Sequence, residues 1–141
     1  FVPATIGRLY VHFRLRWGTR VAENLEEALR ELQQSSGLAM AAVVGADGLV
    51  IDAAGDPGVD AESICSVAAN GLLVMDALSQ ELGASATHLM TLEYESNTIL
   101  LSPLDNDNLL VHLSGAATNL GRLRILMRRS SANLRELLAA I

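Results

Sequence analysis

Val43–Asp60 reads VVGADGLVIDAAGDPGVD, and its crowded glycines fit either a phosphate cradle or a turn. A phosphate loop has to open a helix, because the free N–H groups of a helix N-terminus supply the attraction. Here Gly45-Ala46-Asp47-Gly48 leads into Leu49–Ala54, a strand-type run, and Asp47 would repel an anion. Neither G-x-x-x-x-G-K-[ST] nor G-x-G-x-x-G occurs in the chain. The stretch therefore reads as a hairpin of Leu38–Gly45 and Leu49–Ala54 joined through Asp47-Gly48, where glycine accepts the positive φ of a tight turn.

Before the hairpin, Val21, Leu25, Ala28, Leu29 and Leu32 recur at helical spacing, with Thr19 as the expected cap and Gly37 as the stop. After it, Pro57-Gly58 ends the hairpin and Asp60 caps a long helix that reaches Gly83. Three strands follow, Thr87–Glu95, Thr98–Leu104 and Asn108–Ser114, with turns at Ser96-Asn97 and Asp105-Asn106-Asp107, and a last helix runs from about Thr118 to Ile141. The order is α-β-β-α-β-β-β-α. The first, fourth and fifth strands are apolar on both faces or nearly so, as covered central strands are, whereas the second keeps Asp52 and the third sets Thr87, Thr91, Glu93 and Glu95 against His88, Met90, Leu92 and Tyr94. The expected fold is an α+β sandwich, a single five-stranded antiparallel sheet in the order 2-1-5-4-3 with helices on both faces.

The 141 residues suit one domain with one substantial core. The net charge is −6, yet residues 1–20 hold four arginines and no acid, which leaves about −10 for the remainder and disfavours nucleic acid as a partner. That basic segment, with apolar Leu9, Val11, Phe13, Leu15 and Trp17 alternating with polar residues, is set apart as an extension to a domain spanning 21–141. The chain has no lysine, which removes Walker A, Schiff-base and lysine-base chemistry. The single cysteine, Cys65, excludes an internal disulfide and a cysteine zinc site and suits a cytoplasmic setting. No uninterrupted apolar run approaches the roughly 18 residues of a membrane span.

On the middle helix Ile64, Ala68, Gly71, Met75, Leu78 and Leu82 form a stripe that would cover the sheet. A second set, Ser66, Asn70, Leu73, Val74 and Ala77, lies roughly 100–180° away and suggests another cover, the same helix of a second subunit about a two-fold axis, with Asn70 able to bond its mate; the plainer explanations are the N-terminal arm as cover or ordinary surface hydrophobicity. On the last helix Arg124, Arg128 and Arg135 make a stripe suited to an acidic partner or to a phosphoryl-transfer transition state, with a solvated face as the plainer explanation. His88 and His112, expected on strands three and five with strand four between them, stand about 10 Å apart, too far to share an ion, and read as satisfied or exposed strand histidines. Asp105-Asn106-Asp107-Asn108 lacks the glycine and distal glutamate of a calcium loop. Cys65 reads as a small buried hydrophobe. No catalytic arrangement, cofactor motif or metal set stands out, and no enzyme is expected.

GLAMAAVVGADGLVIDAAG, the alanine-rich helix ending in LSQELG, and EYESNTILLSPLDNDNLLVHLSGAATNLGRLRILMRR together resemble the Roadblock/dynein light chain family in its bacterial MglB-like branch, over about residues 21–141. The resemblance implies a Roadblock/profilin-like fold. It also implies homodimers joined through the middle helix and the edge strand three, which adds Met90 and Leu92 to the candidate interface. Family members bind Ras-like small GTPases, and the gliding-motility regulators among them stimulate hydrolysis by repositioning the GTPase's own switch residues, which needs a shaped surface and no catalytic side chain. The implied function is a non-enzymatic homodimeric regulator of a Ras-like GTPase. The alternatives are an adaptor that scaffolds a motor or signalling complex, and a PAS- or profilin-like sensor, against which the aliphatic filling of the sheet speaks.

Overall fold

The computed structural model of the chain describes residues 24–116 and 119–140, with the strand backbone of 16–17 and 20–21. The alternating arm before Arg16, the cap read at Thr19, the start of the last helix read at Thr118, and Ile141 lie outside the described residues. Val21 belongs to a short antiparallel ladder, Arg16–Trp17 with Arg20–Val21, and not to the first helix as the spacing suggested. Helix α1 (Leu25–Ser36) starts later because Asn24 caps it, its side chain accepting from the Glu27 N–H at 2.8 Å while Glu26 and Glu27 complement the first-turn dipole. Gly37, at φ 68°, ends it as read.

Strand β1 (Met40–Gly45) is buried along its whole length, and β2 (Val50–Gly55) pairs with it through the expected hairpin. Gly48 sits at φ 87°, and the Asp47 side chain accepts from Leu49 N–H at 3.0 Å, so the Asp-Gly pair shapes a turn. The strands β3 (Met90–Glu93), β4 (Asn97–Pro103) and β5 (Asn108–Gly115) complete the antiparallel sheet in the order β2-β1-β5-β4-β3, as the hydropathy pattern required. Strand β3 is shorter than read, so His88 precedes it, its carbonyl accepting from Ser102 Oγ at 3.0 Å. The Asp105 carboxylate is taken up by its own turn, accepting from Asp107 N–H and the Asn108 amide.

The middle helix is two helices, α2 (Ala61–Ala68) and α3 (Gly71–Glu81). Asp60 caps α2 as read, accepting from Ser63 N–H at 3.1 Å. At the junction the ladder tightens to i−3 bonds, Asn70 to Val67, Leu72 to Ala69 and Leu73 to Asn70, which breaks the α-helix without proline. Helix α4 (Leu120–Ala139), capped by Asn119, closes the fold. Helices α1 and α4 cover one face of the sheet over Ala41, Val43, Leu100 and Leu110, and α2 with α3 covers part of the other over Ala42, Val44, Leu109 and Val111.

Candidate functional site

The α2–α3 face departs from the stripe read in the sequence. Cys65, Ala69 and Met75 are buried against the sheet, whereas Leu78 and Leu82 are exposed. The docked face combines Met75 with the smaller Cys65, Ala69 and Gly71, and the small residues let the helix backbone approach the strands. Gly71 shows why: a Cβ there would stand 2.9 Å from Leu101 Cδ1. The larger side chains are left outward, Leu73 at 72% exposure and Val67 at 69%. By length and composition Ala61–Glu81 is apolar enough to cross a membrane. Its two ends, however, join β2 and β3 of one sheet, so its exposed surface is a face of the domain.

Beside this helix pair the sheet is only partly covered. An open groove of about 660 Å³ runs between α2–α3 and the outer strands, with Ile64, Val67 and Val74 on one wall and Met90, Leu92 and Tyr94 on the other, over Ile99 and Leu101. The register explains the second wall: Met90 pairs with Leu101 and Leu92 with Ile99, so all four share one face of the sheet. None of the lining residues is charged, and Ser63, Asn70 and Tyr94 supply its polar groups. A small-molecule site would need several convergent polar groups in a concave pocket. An apolar, charge-free groove with methionine and tyrosine at its wall has the composition of the buried centre of a protein interface. The groove borders β3, whose outer edge is unpaired among the described residues.

Of the interface residues read from the sequence, Asn70, Val74, Met90 and Leu92 meet in this groove. Leu73 and Ala77 are exposed on the same helix outside it, and Ser66 lies by the hairpin, its Cα 3.8 Å from where a Gly48 Cβ would stand. The reading missed Val67 and Tyr94, although the alternation through Leu92 and Tyr94 was visible. Of the arginine stripe, Arg124 and Arg128 are exposed, while Arg135 is engaged, its Nε and Nη2 donating to the carbonyls of Leu104 and Pro103 at 2.9 and 3.0 Å.

The titratable groups point to packing. Cys65 is fully buried, as expected, and desolvation pushes its thiol up to about 11. His112 corrects the sequence reading: it is neither satisfied nor exposed. It is fully buried on β5, opposite Ala41 and Leu100, with no hydrogen-bond partner for either ring nitrogen among the described residues, and desolvation lowers its pKa to about 3. The signal was the run Leu109-Leu110-Val111-His112-Leu113, since a strand covered on both faces buries every side chain it carries. Asp60 is held below the usual carboxylate range by the Ser63 hydroxyl and N–H that it accepts from. Among the described residues no three His, Cys, Asp or Glu side chains are grouped to hold a metal ion.

Residues 24–114 match the Roadblock/LC7 domain. An uncharacterized protein of Methanocaldococcus jannaschii is 31% identical over 117 residues, covering 83% of this chain and 98% of the relative. Among solved structures, MglB of Myxococcus xanthus superposes with a TM-score of 0.72 at 19% identity, covering 80% of this chain and 93% of MglB. A structure of MglB with a tetrameric arrangement superposes at 0.69 with 18% identity, covering 80% and 87%. At these identities the structural likeness shows a shared fold.

Proposed function

Because the chain belongs to the Roadblock/LC7 domain family, we propose that it is a non-enzymatic homodimer that binds a Ras-like small GTPase and modulates its GTP hydrolysis or nucleotide state. The observation that carries this reading is the charge-free apolar groove between α2–α3 and β3, beside an unpaired strand edge. A second copy about a two-fold axis fills it with the same surface. Val74, Met90 and Leu92 are then buried, Leu73 and Ala77 lie along the seam with Ser66 at its margin, and Asn70 bonds its mate in an otherwise apolar contact. The tetrameric arrangement of one MglB structure with this fold supports self-association. The paired helices present one composite surface to the GTPase. Such a surface acts by shape on a partner that carries its own catalytic residues, which suits a groove with no charged residue in its lining. In this reading residues 21–141 are the working unit, residues 1–20 an extension, and the cytoplasm the setting.

The test is a titration of a co-encoded Ras-like GTPase, loaded in turn with GDP and with a non-hydrolysable GTP analogue, followed by single-turnover GTP hydrolysis. State-dependent binding with a changed rate of hydrolysis or exchange supports the reading. Absence of binding in both states overturns it, and binding that leaves both rates unchanged supports the adaptor instead.

A further inference from the structure

On the sheet face opposite the groove, α4 differs in charge from the rest of the chain. It carries five arginines, Arg122, Arg124, Arg128, Arg129 and Arg135, against one acid, Glu136, in a chain of net charge −6. Arg135 is occupied by the Pro103 and Leu104 carbonyls. The other four are exposed, and their guanidinium groups have no partner among the described residues. At 100° per residue, Arg124 and Arg128 stand on one flank of the outer face and Arg122 and Arg129 on the other. Between the flanks run Gly121, Ile125 and Ala132, with the exposed Glu136 one turn further toward the C-terminal end, and Ile125 is 56% exposed.

We infer that the outer face of α4 is a docking surface for an acidic amphipathic helix of another protein. The apolar row of that helix seats on Ile125 between Gly121 and Ala132, whose small size lets two helix axes approach to within about 8–10 Å. Its Asp and Glu residues meet arginines on both flanks, where the guanidinium fork takes a carboxylate with two parallel bonds. Charge complementarity selects this occupant: four cations without a partner among the described residues stand on a domain whose residues 21–119 carry about −14. A duplex would be repelled by that body and would leave Ile125 against phosphates. A lipid surface would gain one large aliphatic side chain from this face, where an interfacial helix commits a whole row. The inference is independent of the groove on the other face.

The test uses the full chain and fluorescent helical peptides as long as α4, read by anisotropy. One peptide carries a leucine row flanked by glutamates, one has the same composition scrambled to spread the leucines, and one has lysine in place of glutamate. Phosphatidylserine vesicles and duplex DNA are run alongside. The inference expects the amphipathic glutamate peptide to bind about tenfold or more tightly than either control peptide, with affinity falling as salt rises, and to lose about tenfold on R124E/R128E and again on I125D. R124Q/R128Q, which keeps a good helix-forming surface, should show the same loss with an unchanged thermal melt. Equal binding of the scrambled peptide, undiminished binding by both arginine variants, preferential capture of vesicles or DNA, or no binding to any probe would each overturn it.

Discussion

His112 offers the prediction with the most determinate magnitude. Its imidazole is fully buried, with neither nitrogen partnered among the described residues, and burial takes its pKa from 6.5 to about 3. The folded-state pKa lies below the unfolded one, so the unfolded chain binds the extra proton. The stability conferred by keeping His112 neutral is therefore complete above pH 6.5 and is lost as the pH falls from 6.5 toward 3. At 1.36 kcal/mol per pKa unit, the loss between pH 7.5 and pH 5 comes to about 2 kcal/mol. His112→Leu removes this titration, and at pH 7.5 it should also be neutral or stabilising, because it replaces an unsatisfied buried donor and acceptor with an apolar group of similar size. Urea unfolding at both pH values and one fixed protein concentration gives the comparison. The common acid sensitivity of the carboxylates cancels, leaving the wild type about 2 kcal/mol more pH-sensitive than the variant. Equal losses in the two proteins, or an NMR titration that places the folded His112 near 6.5, would refute the reasoning.

Three further outcomes follow from local chemistry. Asn24→Ala removes the bond to Glu27 N–H and should cost about 1 kcal/mol in denaturant unfolding. Gly48→Ala meets no atom closer than 3.8 Å, so its cost, about 1 kcal/mol or more, is the backbone strain of a φ of 87° and should appear as a lower unfolding midpoint at constant m-value. Cys65, buried with its thiol near 11, should resist a thiol reagent at pH 8 in the folded protein and react on addition of denaturant; prompt reaction of the native chain would contradict its burial.

The sheet was legible because its signals are local and unambiguous. Asp47-Gly48 requires a turn, and the apolar run at 40–45 and the nearly apolar run at 109–113, interrupted only by His112, require cover on both faces, from which the strand order follows. The middle helix was less legible for a physical reason. The stripe assumed one continuous helix: of its members Gly71 and Met75 do meet the sheet, but the i−3 bonds at the α2–α3 junction break the periodicity, and Cys65 and Ala69 are buried where Leu78 and Leu82 were expected. The leucines assigned to the core, Leu78 and Leu82, thus belong to the exposed surface. The groove was half visible. Asn70 and Val74 were marked by their place on a second apolar face, but the second wall depends on the pairing of β3 with β4, which brings together residues distant in the chain. The arginines of α4 were read as one stripe, and Arg135 left it because two strand-end carbonyls lie within its reach.

The central claim is that the groove between α2–α3 and β3 joins two copies into the surface a GTPase recognises. It is tested most directly by measuring, in one experiment, the mass by light scattering and the affinity for the GTP-analogue-loaded GTPase of the wild type and of Val74→Glu, which places a charge in the uncharged groove. The account predicts a dimeric wild type that binds, and a folded, monomeric variant whose affinity falls about tenfold or more. A Val74→Glu chain that remains dimeric, or a monomer that binds the GTPase as tightly as the wild type, would contradict it.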